Sequence, residues 1–445
     1  MSLTMAAGQP DADPGFVLDG LFDALADPAL TSMNLLNEIA NRYPDAISLA
    51  AGRPCEDSFD VAALDRYLHR FCQYLREELG QSEQQVRRTL FQYGRTKGIV
   101  HELIARNLAV DEQLTVDPEA IVVTVGCQEA MYLVLRALRQ GPNDVLLAVA
   151  PTYVGLTGAA RLAELPVLPV RYVDTGVDLA DLRDQLRQAR AAGLRPRACY
   201  LMPDFANPSG VSMPLVDRHE LLQLARDERL LLLEDNPYGL FPADLADRLP
   251  TLKALDTTRQ VVYLGSFAKT ALPGARVGYL VADQPVRAAD GSIGLLADEL
   301  SKLKSMLTVN TSPISQAVVG GKLLEHGGSL LPATAGDRAV YTRNLDLLVR
   351  GMHRRFPDPA DGVSVNAPAG GFFAVVTVPF EVDDALLEES ASRYGVLWTP
   401  MHHFYAAGSA VRSLRLSCSV VTAEQIELGL DRLAALLRDR LARGN

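Results

Sequence analysis

The middle of the chain alternates short, almost wholly apolar runs with amphipathic stretches of helical period, and no other feature narrows its fold as much. The runs are AIVVTVG (120–126), DVLLAVA (144–150), LPVLPVRY (165–172), ACYLMPD (198–204), LLLLED (230–235), QVVYLGSF (260–267) and RVGYLVAD (276–283). A strand with one wet face alternates apolar and polar residues. These do not, so each is predicted to be covered on both faces. Between them, stretches such as QEAMYLVLRALRQ (128–140) and LVDRHELLQLARDE (215–228) carry apolar residues at helical spacing. The alternation predicts an α/β fold, a mostly parallel sheet with helices on both sides.

Residues 17–43 read as one or two helices ending before Tyr43-Pro44, and a long helical stretch spans about 291–329 with an interruption near Pro313. From about 335 onward helix, strand GFFAVVTVP, helix DDALLEESASRYG, strand SLRLSCSV and a final helix read as a smaller α+β domain. The expected division is an N-terminal arm and part of the small domain over 1–60, a large domain over 61–325 and the C-terminal small domain over 326–445.

Charge removes some functions. A net charge of −11 without basic clusters is a poor match for nucleic acid or an anionic membrane, because phosphate contact needs concentrated Lys and Arg. No apolar run approaches the roughly 20 residues of a membrane span. The opening MSLTMAAGQPDADPG has no basic region followed by an apolar one, so no secretory signal is expected. The five cysteines show no CxxC spacing and read as free thiols of a cytoplasmic protein.

In open α/β sheets ligands gather at the carboxyl ends of strands. Four unusual segments fall there: Gly126-Cys127-Gln128-Glu129, Asn207-Pro208-Ser209-Gly210, Glu234-Asp235-Asn236-Pro237-Tyr238, and Ser266 with Lys269 three residues on. The chain has only six lysines against 37 arginines, so an amine at a strand end is read as chosen for its chemistry. A lysine amine forms Schiff bases. An acidic residue at a strand end holds a protonated pyridine nitrogen, and a helix N-terminus with small residues holds a phosphate. Together these are the protein's half of pyridoxal phosphate chemistry.

The same residues resemble the class I/II aminotransferases, pyridoxal-phosphate enzymes of fold type I. The resemblance rests on Ser266-x-x-Lys269-x-x-x-Pro273-Gly274-x-Arg276-x-Gly278, Asn207-Pro208-Ser209-Gly210 and Asp235-x-Pro237-Tyr238, and runs from Ile47 to Ser417. It implies that Lys269 forms the Schiff base and moves the proton between Cα and C4′. It implies that Asp235 partners the pyridine nitrogen, that Asn207 and Tyr238 hydrogen-bond the ring 3′-oxygen, and that Tyr153 stacks on the ring. Ser266, Arg276 and the backbone at Gly126, Cys127 and Gln128 hold the phosphate. Tyr93 reaches the neighbouring subunit's phosphate, which implies a homodimer with shared sites. Arg415, helped by Asn207 and the backbone near Gly52, grips the substrate α-carboxylate.

The implied reaction is amino-group exchange between an amino acid donor and a 2-oxo acid acceptor. A β-lyase, decarboxylase or racemase on the same scaffold stays open, since fold does not settle function. A ligand-domain regulator is not expected, because the leader is too short and acidic for a DNA-binding module. The segment at 27–34, with the residues that follow it, looks like the opening of the hydroxyphenylglycine and 3,5-dihydroxyphenylglycine transaminases of peptide-antibiotic pathways. Kynurenine/2-aminoadipate- and valine-type transaminases are the alternative relatives. Substrate side-chain choice is expected from Leu30–Leu36 (Met33, Asn34), Arg53 and the Met401–Tyr405 segment with His402 and Phe404, and aromatic substrates suit that mixture. Cys127 is expected to be a small buried filler. No metal is expected: His402 and His403, read as strand neighbours, point apart, and no Cys/Asp cluster lies near them in sequence.

Overall fold

A computed structural model describes residues 21–27, 30, 38–406, 409 and 411–443. Its first strand, β1 (Ile47–Ser48), belongs with the C-terminal part of the molecule. The apolar runs become β2 (Ile121–Val125), β3 (Asp144–Ala150), β4 (Val167–Val173), β5 (Gly176–Val177), β6 (Arg195–Leu201), β7 (Leu231–Asp235), β8 (Val261–Ser266) and β9 (Val277–Val281). They form one eight-stranded sheet in the order β2-β9-β8-β7-β6-β3-β4-β5. The pairings β3–β4, β3–β6, β6–β7 and β7–β8 are parallel, and β9 runs opposite to both β2 and β8. β2 therefore points with β8, and only β9 and the short β5 oppose the common direction.

Both faces of the sheet are covered, which is why the runs lack polar alternation. Val122, Leu146 and Leu233 pack into one cluster with residues of the helices Gly126–Leu138, Val154–Leu162 and Leu296–Leu307. On the opposite face Ile121 and Val123 meet the helices Ala62–Glu77, His101–Asp111 and Pro313–Glu325. Leu147 and Leu232 on that face meet Leu179–Ala191 and Leu215–Asp227.

The predicted helical stretch over 291–329 is divided. A hairpin, β10 (Pro285–Arg287) with β11 (Ile293–Leu295), precedes the helix Leu296–Leu307. The next helix starts at Pro313, whose missing N–H costs nothing in the first turn, and Ser312 caps it. Within 17–43, the described residues show a short 3-10 turn at Asp23–Ala26 and helical backbone at 38–42.

The C-terminal part holds β12 (Ser364–Val365), β13 (Phe373–Thr377), β14 (Val396–Leu397), β15 (Thr399–Pro400) and β16 (Ser413–Ser417). Four of these form an antiparallel sheet, β12-β13-β16-β15, under the helices Ala335–Arg355 and Ala423–Arg443. β14 pairs in parallel with β1, and this pairing carries Ala50, Ala51 and Gly52 to the end of the large sheet. Trp398 is fully buried beside it, its indole N–H donating to Ser390 Oγ at 2.9 Å. Met401–Phe404 is a 3-10 turn rather than a strand, so successive side chains there do not alternate.

Candidate active site

The chain leaves β3 for β4 on one side of the sheet and later leaves β6 for β7 on the other. Between β3 and β6 the order reverses, and a crevice opens at the strands' carboxyl ends. A cavity of about 440 Å³ lies there. Cys127, Gln128, Tyr153, Asn207, Asp235, Tyr238, Ser266, Lys269, Arg276, Gly52 and Arg415 all line it, with Gly126 beside Cys127 at the start of the helix. Of the sequence-predicted site residues only Tyr93 lies elsewhere, at 85% exposure on the surface of the single chain.

Lys269 follows β8 on a turn buried beneath the C-terminal part. Its amine donates to the Gly52 carbonyl at 2.7 Å and makes no ion pair with any described residue. Burial, then the positive Arg415 and Arg276, lower its pKa to about 8. Asp235 ends β7 and is 2% exposed. Tyr200 donates its phenol proton to Asp235 Oδ2 at 2.6 Å, and the Cys127 thiol lies 3.6 Å from Oδ1. Burial still raises the Asp235 carboxyl to about 6, because those donors and the nearby Lys269 charge only partly offset desolvation. Burial and Asp235 push the Cys127 thiol well above its ordinary range, so it is a filler and weak donor rather than a reactive thiolate.

Arg276 sits at the N-terminus of the helix Gly126–Leu138. Its own backbone is left-handed (φ 51°), and a Cβ on Gly126 would stand 2.4 Å from its guanidinium. Gly126 is itself at φ 71°, so a side chain there is excluded both by backbone and by Arg276. No side chain caps the helix start. Gln128 turns its amide to the Gly155 carbonyl, at 2.5 Å, leaving its backbone N–H for a ligand. Among the described residues no carboxylate pairs with Arg276; its hydrogen bond to the Pro273 carbonyl is long, 3.4 Å.

Arg415 projects from β16 into the opposite wall. It donates to Asn207 Oδ1 at 2.5 Å, to the Ala50 carbonyl at 2.9 Å and to Thr399 Oγ1 at 3.1 Å. Its guanidinium lies 4.2 Å from the ring centre of Phe373 and 5.1 Å from that of Phe404. Every one of these partners is neutral, Nε is buried without a partner, and burial lowers the guanidinium to about 10. Burying a cation without an anion costs several kcal/mol. A carboxylate arriving in the cavity relieves that cost, which makes this arginine a ready anion site.

Four contributors were not anticipated as site residues: Tyr200, Thr399, Phe373 and the Ala50 carbonyl. Tyr200 carried a signal, a phenol in the apolar, buried end of a strand next to the Asp235 strand. Of the expected specificity residues, Arg53 and Phe404 line the cavity. Met401 is buried against Val154 and Phe404, with Tyr405 packed beside them. Met33 and Asn34 lie outside the described residues, as does 31–37 as a whole. His402 and His403, expected to diverge, instead lie side by side, ring centres 4.1 Å apart and planes tilted by 37°, and both face Asp384.

A neutralisable amine, a buried carboxylate lacking a cation, and an arginine at an uncapped helix start fit the imine carbon, ring nitrogen and phosphate of pyridoxal phosphate. Fold and cavity together define a pyridoxal-phosphate enzyme of fold type I. The chain belongs to the class I and II aminotransferases, whose family model matches residues 44–433. It is 56% identical to the (S)-3,5-dihydroxyphenylglycine transaminase of Amycolatopsis orientalis over 95% of each chain. Among solved structures it is similar to the kynurenine aminotransferase of Pyrococcus horikoshii (TM-score 0.79, 26% identity, 97% of this chain and 98% of that one). It is also similar to the α-aminoadipate aminotransferase of Thermus thermophilus, solved with N-(5'-phosphopyridoxyl)-L-leucine (TM-score 0.75, 28% identity, 95% and 100%). The protein is thus a pyridoxal-phosphate-dependent aminotransferase, and the lyase, decarboxylase and racemase readings fall away.

Proposed function

We propose that this aminotransferase acts on arylglycines and their aryl 2-oxo acids, of the 3,5-dihydroxyphenylglycine or hydroxyphenylglycine type, with a second amino acid/2-oxo acid pair completing the exchange. The observation that carries the amino-acid half is Arg415: a buried guanidinium, offered only neutral partners, in the wall facing Lys269. The identity to the Amycolatopsis orientalis enzyme supports the aryl half. So does a cavity that joins Phe404, Val154 and Ile39 to Arg53, Asn41 and Ser48, apolar faces with a polar rim.

Bound pyridoxal phosphate supplies the electron sink and carries the amino group from donor to acceptor. The chain's own residues do the rest. Arg276, Ser266 and the N–H groups at Cys127 and Gln128 hold the phosphate. Tyr153 would cover one ring face, and Asp235 would keep the pyridine nitrogen protonated. Asn207 and Tyr238 meet the 3′-oxygen; Asn207 at the same time orients Arg415. Arg415 fixes the substrate carboxylate, which places the Cα–H toward Lys269. Burial and the positive Arg415 and Arg276 lower the Lys269 pKa, which suits this amine to take the proton from Cα.

The exposed Phe91, Tyr93, Met306 and Val309 support a homodimer completed by Tyr93. Gly94 adjoins Asn310, so these apolar side chains belong to neighbouring segments. All five cysteines are free, in keeping with a cytoplasmic setting, and among the described residues no helix is long and apolar enough to cross a membrane.

Arg53 favours a second reading. It lines the cavity, and its carboxylate partner Glu56 is 3.5 Å away at an exposed site, so it is available to the distal carboxylate of a 2-aminoadipate-like substrate. One panel separates the two. Arylglycines, 2-aminoadipate, kynurenine, valine and aspartate are compared as donors against aryl-glyoxylates and 2-oxoglutarate. The arylglycine pair is expected to have the highest kcat/KM; a higher value for 2-aminoadipate or a short aliphatic donor overturns the aryl assignment.

A further inference from the structure

The paired histidines of the Met401–Phe404 turn lie outside the catalytic cavity, and the reaction gives them no task. His403 Nε2 stands 2.8 Å from Asp384 Oδ1, and His402 Nε2 stands 3.6 Å from the same oxygen. The three ligand-type atoms lie within 4.8 Å of one another. His402 Nδ1 is 3.4 Å from the Val382 carbonyl. An N–H on that side leaves the Nε2 lone pair directed at the group, the outer-shell arrangement that fixes metal-binding imidazoles. Asp384 is not needed to cap its own helix, because Asp383 accepts from Leu386 N at 2.8 Å.

We propose that Asp384, His402 and His403 bind one divalent transition-metal ion of the zinc type, with water at the remaining position. Two imidazoles and one carboxylate suit zinc and its neighbours, whereas calcium and magnesium prefer all-oxygen sets. Zinc holds such ligands at about 2.0–2.2 Å, so the corners of its tetrahedron lie about 3.4 Å apart. The two separations to Asp384, 2.8 and 3.6 Å, straddle that value, and all three ligand atoms lie within 4.8 Å of one another, so side-chain adjustment alone can close them round an ion. The ion takes the place of the proton between His403 and Asp384, which leaves to solvent.

The site is structural, and its effect passes through Phe404. That residue ends the turn, its carbonyl accepts from Thr152 N at 2.8 Å, and its ring lies over Arg415. An ion joining the turn to the helix Asp384–Glu389 holds that ring in place. Since Phe404 lies beside Arg415, the expected kinetic signature of metal loss is a higher KM with kcat little changed.

The test is calorimetric titration of zinc sulfate into untagged holoenzyme, previously stripped with EDTA and freed of it, in a non-coordinating buffer. One zinc per chain is expected. Asp384→Asn and His402→Gln are each expected to weaken binding by about 10- to 100-fold, with the visible cofactor absorbance unchanged. Asp384 is half exposed, so its variant serves if the His402 variant fails to fold. No saturable binding up to about 1 mM, or binding that both variants retain at full strength, overturns the proposal and leaves a His–Asp ion pair.

Discussion

Arg276 and Arg415 face the same cavity from opposite walls, and the chain holds them in opposite ways. Arg276 leaves a left-handed turn, leans on the bare Cα of Gly126 and makes one long hydrogen bond. Arg415 leaves the middle of a strand, makes three hydrogen bonds and lies between two aromatic rings. The first is positioned by its ligand; the second is positioned before the ligand arrives, though its charge still waits for an anion. That suits the guests proposed for them, a cofactor phosphate for Arg276 and a substrate carboxylate for Arg415. A phosphate that stays bound through every cycle can complete its own cage. A carboxylate that enters and leaves at each half-reaction gains from a fork already paid for in the folding of the chain.

Between the two walls Lys269 answers to neither alone, and its removal is expected to have the largest effect. Lys269→Ala should reduce transamination by roughly 10⁴-fold or more, since both the imine-forming amine and the proton carrier go. Cofactor should remain through the Arg276 wall, measured as absorbance that survives gel filtration. Residual turnover above about 1% of wild type would show that Lys269 is not the base.

The two arginines should then fail differently. Arg415→Lys keeps the charge but loses the planar fork. It should lower kcat/KM by about 10²-fold, roughly 2.7 kcal/mol, and by a similar factor for every substrate, with cofactor affinity unchanged. Arg276→Lys should instead weaken the cofactor, and saturating pyridoxal phosphate should restore most of kcat. If excess cofactor rescues the Arg415 variant, or fails to rescue the Arg276 variant, the comparison collapses.

The same contrast explains how much of the molecule was legible in its sequence. The Arg276 wall is built from segments next to strand ends, Gly126-Cys127-Gln128 and Ser266. Each is local, so strand reading alone placed them. The Arg415 wall is built from four distant pieces: Ala50, Phe373 and Thr399, brought together by the β1–β14 and β13–β16–β15 pairings, and Asn207, which comes from the turn after β6 of the large sheet. Spacing along the chain carries no trace of those pairings, so Thr399 and Phe373 stayed hidden although Arg415 itself was named. The His402-His403 expectation failed for a local reason. Two residues before a Phe-Tyr pair read as strand, but the chain turns in 3-10 form there, and alternation no longer separates adjacent side chains. Asp384, eighteen residues earlier than His402, could be brought to them only by the fold.

Tyr200 extends the comparison to the carboxylate on the cofactor side. Its phenol lowers the Asp235 pKa, against burial, which raises it to about 6. The folded-state value lies above the ordinary 3.8, so the folded chain keeps this proton longer than the unfolded one. The cofactor-free fold therefore loses stability as pH climbs from about 4 through about 6. Tyr200→Phe removes the donor, so the loss should extend to higher pH, visible in the melting temperature against pH. In the holoenzyme the acid limb of kcat should move to higher pH, with turnover near neutrality down by about 10-fold, the effect of roughly 1.4 kcal/mol. An unchanged acid limb would make Tyr200 a packing residue.

The smallest effect is expected from Tyr93, which the single chain leaves exposed, and it tests whether the cofactor wall is complete in one chain. If the phenol reaches a phosphate, Tyr93→Phe removes one hydrogen bond, about 0.5–1.5 kcal/mol, and should weaken cofactor retention by about 2- to 10-fold. The decisive measurement is exchange between chains. Tyr93→Phe protein is mixed with a large excess of the inactive Lys269→Ala chain and assayed at limiting cofactor. In a two-fold dimer each Tyr93→Phe chain then meets a partner with an intact tyrosine. If Tyr93 serves the partner's site, the intact Lys269 sites recover their cofactor affinity, and activity per Tyr93→Phe chain rises by the same few-fold factor that the substitution cost. If Tyr93 serves its own chain, or no site at all, mixing changes nothing. The Arg276 wall is then the work of one chain, as the Arg415 wall already is.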